Sequence, residues 1–126
     1  MHKIWVADDD SAIRIVLEES FSSSGFEVRT FSSGDDVVTE LKLEVPDLIL
    51  TDVQMPGMLG YDLLKHINDN YENIPVIIMT AFTDMQAAVD SYGGGAFEYV
   101  PKPFDLDDVT QIINRALEKK PMTKGL

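Results

Sequence analysis

Three kinds of polar side chain suited to handling phosphate follow short apolar runs in this chain: carboxylates at Asp8-Asp9-Asp10 and Asp52, a hydroxyl at Thr80 and an ammonium at Lys102. Carboxylates packed together repel unless a cation sits among them. No His or Cys lies in these segments, so the ion they suit is hard and oxygen-seeking, Mg²⁺ in particular. Asp8, Asp9 and Asp52 are its candidate ligands. Mg²⁺ keeps several waters and is commonly completed by phosphate oxygens, so the site anticipates a phosphoryl ligand. Thr80 and Lys102 then suit the phosphoryl oxygens, the lysine as a point charge. Taken singly each signal is weak, because an acidic run commonly caps a helix or lies in a solvated loop. What carries the reading is the way these residues recur at successive strand ends.

Short β-rich runs alternate with helical patterns along the whole chain, the signature of a parallel sheet covered on both faces, a doubly wound α/β fold of five strand–helix repeats. Strands are expected near 3–7 (KIWVA), 26–31 (FEVRTF), 47–51 (DLILT), 75–79 (PVIIM) and 97–100 (FEYV). DLILT and PVIIM are unbroken apolar runs and belong in the middle of the sheet. FEVRTF alternates, with Glu27 and Arg29 on one side, and belongs nearer an edge. Ile13, Val16, Leu17 and Phe21 mark a first helix, capped at Ser11 and closed by Gly25. Val37, Val38 and Leu41 mark a second, before Pro46, and Leu63, Leu64 and Ile67 a third, after Gly60. Met85, Ala88, Val89 and Tyr92 fit a fourth helix ending at Gly93-Gly94-Gly95. Val109, Ile112, Ile113, Ala116 and Leu117 fit a fifth that stops by Pro121. In open sheets of this kind ligands bind at the carboxyl ends of the strands. The acids, the hydroxyl and the lysine all fall there.

The 126 residues suffice for one domain with a real core and are too few for two. No apolar run is long enough to span a bilayer, no export signal is visible, and the absence of cysteine suits a reducing cytoplasm. Acids outnumber bases 22 to 10, a net charge of -12. A field of that sign repels phosphate backbones and argues against direct nucleic-acid binding by this domain.

With the acid cluster in IWVADDD, the acceptor segment LILTDVQMPGMLG, the hydroxyl in VIIMTA and the lysine in FEYVPKPF, the sequence resembles the receiver domains of bacterial response regulators over residues 3–120. It is most similar to the NtrC-type subgroup, through W-V-x-D-D-D-S-x-I-R, M-T-A and G-A-F-E-Y-V-P-K-P-F-D. The resemblance implies a CheY-like, flavodoxin-like sheet of strand order 2-1-3-4-5, with Asp52 phosphorylated by a sensor histidine kinase through a phosphohistidine. It also implies that Asp8 and Asp9 hold Mg²⁺ with the backbone carbonyl of Gln54, and that Thr80 and Lys102 form a switch pair with Tyr99 as the aromatic switch position. Lys102-Pro103 is expected to be cis by the same resemblance, a form that costs an X-Pro bond only about 0.5 to 1 kcal/mol. Asp10 extends the cluster and is assigned to orienting the first helix in preference to binding metal.

The resemblance further implies a phosphoacceptor signalling domain rather than an enzyme, able to pair with a second receiver on phosphorylation. Residues 1–120 would form the receiver and 121–126 a tail or the start of a linker. NtrC-type receivers usually precede an AAA+ ATPase and a DNA-binding helix-turn-helix, so the chain is read as a truncated regulator in preference to a free-standing receiver. Three positions depart from the subgroup: Phe82 where His is common, Leu59 in the M-P-G-M-L-G loop, and the extra Gly93 and Gly94. The added glycines are expected to loosen the end of the fourth helix, with Gly95 as a left-handed cap. A haloacid-dehalogenase phosphatase also uses a strand-end Asp with Mg²⁺, but needs an acid two residues later, where this chain has Gln54. An FMN module of the same sheet order needs a Ser/Thr/Gly-rich phosphate loop where this chain has three acids.

Overall fold

The computed structural model describes residues 1–92 and 95–118. Five parallel strands, β1 (Lys3–Ala7), β2 (Glu27–Phe31), β3 (Leu48–Asp52), β4 (Val76–Ala81) and β5 (Glu98–Lys102), form one sheet in the order β2-β1-β3-β4-β5. The connecting helices are α1 (Ser11–Ser23), α2 (Gly34–Leu41), α3 (Gly60–Asn70), α4 (Met85–Tyr92), preceded by a 3-10 turn at Phe82–Asp84, and α5 (Leu106–Glu118).

Successive strand residues point to opposite faces, and this period sorts the core into two layers. Ile4, Val6, Leu48, Leu50, Ile77 and Met79 pack against Leu17 and Phe21 of α1 and Val109 and Ile113 of α5. Trp5, Ala7, Ile49, Val76 and Ile78 pack on the other face against Val37 and Leu41 of α2 and Leu63, Leu64 and Ile67 of α3. Both faces of β1, β3 and β4 are covered, which is why these strands read as unbroken apolar runs; full burial of each Ile or Leu contributes about 2 kcal/mol. Strand β2 lies at an edge, as its alternating charges imply.

Local chemistry sets the first helix. Its N-cap is Asp10, not Ser11: the Asp10 Oδ1 accepts from the amides of Ala12 at 2.9 Å and Ile13 at 3.4 Å. The Asp10 carboxylate there also meets the positive end of the helix dipole. The helix-orienting role expected for Asp10 is thus the observed one. At the other end Gly25, at φ +95°, donates to the Ser22 carbonyl and Phe26 to that of Phe21, so the chain turns sharply into β2. Asp10→Ala should cost about 1 kcal/mol in urea denaturation; an unchanged midpoint would show that the cap is dispensable.

Strand β5 runs two residues beyond its expected end, through Pro101 to Lys102. An edge strand tolerates proline because the missing N–H removes no ladder bond from its solvent side. Residues 93–94 and 119–126 lie outside the described residues, and with them the expected loosening at Gly93-Gly94, the Gly95 cap that follows from it, the helix stop by Pro121 and the 121–126 tail.

Candidate functional site

The strand register brings the polar strand ends together. Ala7 lies beside Thr51 and Asp52 beside Met79, so Asp8 and Asp52 leave neighbouring strands side by side with Thr80 one step further on. Across the next pair Thr80 faces Pro101 and Ala81 faces Lys102.

Asp8 is fully buried, and all four of its polar groups are held. Its amide donates to the Phe31 carbonyl at 3.0 Å, its carbonyl accepts from Arg14 Nη1 at 2.7 Å, its Oδ1 accepts from the Asp10 amide at 2.9 Å, and its Oδ2 accepts from Lys102 Nζ at 2.9 Å. The same Nζ lies 3.4 Å from Asp52 Oδ2. One ammonium therefore bridges two carboxylates that arrive from different strands. Asp8, Asp9 and Asp52 each present a carboxylate oxygen, and these atoms all lie within 4.8 Å of one another. Beside them opens a cleft of about 500 Å³ lined by Asp52, Gln54, Tyr61, Thr80, Asp84 and Lys102 among others. The Lys102-Pro103 peptide is cis.

Burial pushes the Asp52 carboxyl above its ordinary pKa, and the Asp8 charge adds to the shift while Lys102 opposes it. Burial also works against the Lys102 ammonium, but its hydrogen bond and attraction to Asp8, followed by those to Asp52, prevail and raise its pKa. An acid whose pKa rises on folding holds its proton more tightly folded than unfolded. Its contribution is therefore complete below the unfolded value and is lost as pH rises through the folded one. At neutral pH ionised Asp52 opposes folding. Without divalent cations, Asp52→Asn should accordingly melt above the parent at pH 7, the gap closing as the pH falls below the usual carboxylate range. Thermal melts across pH check this, and a lower melting temperature for the Asn form would contradict it.

The sequence-level site residues do not all meet. Asp8, Asp9, Asp52, Gln54, Thr80 and Lys102 gather at one edge, whereas Asp10 serves as the helix cap. Tyr99 packs against the apolar layer on the α2–α3 side and does not line the cleft; burial raises its hydroxyl pKa, with a hydrogen bond to the Ala96 backbone opposing. Sequence reasoning missed Tyr61 and Asp84 in the cleft wall and Arg14 on the Asp8 carbonyl. Tyr61 lies in the first turn of the helix after the Asp52 loop and Asp84 closes the turn after β4, so the rule of looking at strand ends extends to them.

The three carboxylates fit a metal ion. Their oxygens converge with no nitrogen or sulfur donor among them, and the raised Asp52 pKa reflects in part the negative charge already gathered there. Mg²⁺ is the ion this donor set suits.

A five-stranded parallel sheet of this order, with an acid cluster, a hydroxyl and a lysine on its carboxyl edge, is the architecture of a receiver domain. The family model described as the response regulator receiver domain matches residues 4–114. The DNA-binding transcriptional regulator NtrC of Klebsiella pneumoniae is 48% identical over 113 residues, 90% of this chain and 24% of that protein. NtrC of Escherichia coli K12 is 47% identical over 114 residues, with the same coverage. Among solved structures, the apo receiver domain of nitrogen regulatory protein C superposes with a TM-score of 0.84 at 46% identity, covering 93% of this chain and 94% of that one. A receiver domain protein from Clostridium thermocellum superposes at 0.86 with 32% identity, covering 94% and 95%. The chain belongs to the response regulator receiver domain family, within its NtrC type, and so to two-component signalling. It spans about a quarter of the length of these curated NtrC relatives. No helix among the described residues is long and apolar enough to cross a membrane.

Proposed function

We propose that this domain accepts a phosphoryl group on Asp52 from the phosphohistidine of a sensor kinase and relays the change to an output. The observation that carries the reading is the Lys102 ammonium held between the carboxylates of Asp8 and Asp52 at the mouth of the cleft. Asp52 Oδ forms the new bond to phosphorus as the N–P bond breaks, and the electron pair returns to the donor imidazole. A carboxylate is a modest nucleophile, so the rate depends on alignment and on neutralising the charge on the phosphoryl oxygens. Lys102 supplies one positive charge there, and the Thr80 hydroxyl supplies a hydrogen-bond donor. Asp8, Asp9, Asp52 and the Gln54 carbonyl would hold Mg²⁺, which when bound contributes further positive charge to the same oxygens.

The product acyl phosphate adds negative charge and acceptor oxygens beside Thr80, which biases the loop that follows β4 between two positions. Tyr99 reports the change through its packing. The receiver unit is residues 1–120, with 121–126 as a tail or linker; its setting is the cytoplasm and its partners are the kinase and a second receiver. The output is transcription, through the AAA+ ATPase and DNA-binding regions of a longer regulator. Support for this last step comes from the relatives, whose name describes DNA-binding transcriptional regulators.

The test is incubation with acetyl phosphate and Mg²⁺, read by intact mass and peptide mapping. One phosphoryl group on Asp52, not formed when Mg²⁺ is chelated beforehand and absent from Asp52→Asn, is the expected result. Equal labelling of the Asn variant would refute the assignment.

A further inference from the structure

Arg14 lies on α1, away from the cleft, yet its Nη1 donates to the main-chain carbonyl of Asp8 at 2.7 Å. We infer that Arg14 is a positioning residue of the metal site, holding the peptide between Asp8 and Asp9 so that the Asp9 carboxylate stays aimed at the other two. The inference rests on the metal-site reading above and adds to it a group that touches neither metal nor phosphate.

The argument begins with the peptide plane. The carbonyl of Asp8 and the amide of Asp9 belong to one rigid unit, so fixing the first fixes the direction in which Asp9 leaves it. Asp8 is anchored at its amide and at both carboxylate oxygens, and the bond from the Asp10 amide to Asp8 Oδ1 spans the peptide that follows and restrains it. Arg14 is the group that holds the carbonyl of that peptide itself. Asp9 needs that help, because it is exposed and its side chain takes part in no hydrogen bond or ion pair among the described residues. Without the guanidinium, Asp9 would sample directions away from Asp8 and Asp52, and its own repulsion from them would favour those directions.

Arg14 is well placed to act as a strut. Its own amide donates to the Asp10 carbonyl at 3.1 Å in the first turn of α1, the turn that the Asp10 side chain caps. A charge-assisted hydrogen bond from a helix locked at its start is stiffer than one from a loop. The guanidinium is half-buried in a groove of about 450 Å³ shared with Arg29, Phe31, Asp36 and Glu40. Arg29 is committed elsewhere, 2.9 Å from Glu40 and over the rings of Trp5 and Phe31.

The sign of the effect separates positioning from simple charge. Arg14 is a cation near a cation site, so by Coulomb's law alone its removal would tighten Mg²⁺ binding. A positioning role requires the reverse. Groups that orient metal ligands from behind typically contribute 10- to 100-fold to affinity, so Arg14→Met should weaken Mg²⁺ binding roughly tenfold. Arg14→Lys keeps the charge but not the planar fork, and should fall between parent and Met variant. Arg29→Gln removes a cation from the same groove without touching Asp8, and should leave affinity unchanged or slightly tighter.

The experiment is a Mg²⁺ titration of the four proteins followed by backbone amide shifts at Asp9, Asp10 and Val53, with urea denaturation in the absence of Mg²⁺ alongside. Weaker binding in the order parent, Lys, Met, with Arg29→Gln at or above the parent, supports the inference. Should the Met variant not fold, the Lys variant carries the test, and parent-like affinity there overturns the inference. Parent-like or tighter binding by a folded Arg14→Met overturns it while leaving the metal site intact. A parent that shows no Mg²⁺-dependent shifts overturns the metal-site reading and this inference with it.

Discussion

Lys102→Ala should destabilise the metal-free domain by about 3 kcal/mol and slow phosphorylation by roughly 100-fold. Lys102 is the cation facing the fully buried Asp8 carboxylate at 2.9 Å, so truncation leaves a charge in the core without its partner. Removing one member of such a pair typically costs about 3 to 5 kcal/mol, and the lower end applies because the Lys102 side chain is 23% exposed. The loss is large for a domain whose total stability is of the order of 5 to 15 kcal/mol. Mg²⁺ should restore part of it, since a divalent ion among Asp8, Asp9 and Asp52 supplies the missing positive charge. The variant should therefore show a larger Mg²⁺-induced rise in melting temperature than the parent, together with slower labelling by acetyl phosphate. Denaturation without Mg²⁺ that matched the parent would mean that the buried pair contributes nothing.

Gly60→Ala should cost about 3 kcal/mol and impair labelling even at temperatures where the variant folds. The Gly60 amide donates to the Val53 carbonyl at 2.8 Å, drawing the start of α3 onto the end of β3. A Cβ there would lie 3.0 Å from the Val53 Cα and within contact of the Asp52 carbonyl oxygen. Both are backbone atoms, so no rotamer change relieves the clash, and the relief available is a shift of the segment that carries Asp52. Gly25 offers the contrast. It has open space around the position of a Cβ but a φ of +95°, so Gly25→Ala should cost about 1 kcal/mol through backbone conformation alone and leave labelling unchanged. Thermal melts and labelling rates of the two variants separate these causes; equal labelling by both would show that α3 can move without disturbing Asp52.

Much of this protein was legible in the chain itself. Strand identity follows from apolar runs such as DLILT, because a strand covered on both faces has no polar side to show. The gathering of Asp8, Asp52, Thr80 and Lys102 at one edge follows from parallel strands sharing a carboxyl end, so each motif needed only its own strand to be recognised. Gly25 announced the end of the first helix because a sharp helix exit needs a positive φ.

Other features depended on distances between parts of the chain that no local pattern encodes. Asp10 and Ser11 are both good caps, and the path of the chain out of β1 decided between them. Lys102 could have met one acid or none; the register of β5 on β4 and the packing beneath it put its ammonium between Asp8 and Asp52, 94 residues from the first of these. Tyr99 carried no local sign of which face its ring takes, and the tertiary packing set it against the layer under α2 and α3. The reach of Arg14 to the Asp8 carbonyl depends on where α1 sits against the sheet. Residue types and periods determined which groups this protein brings to its edge. Side-chain direction and the close packing of helices on the sheet decided which of them touch, because a contact of 3 Å is set by the positions of whole elements and not by the spacing of letters.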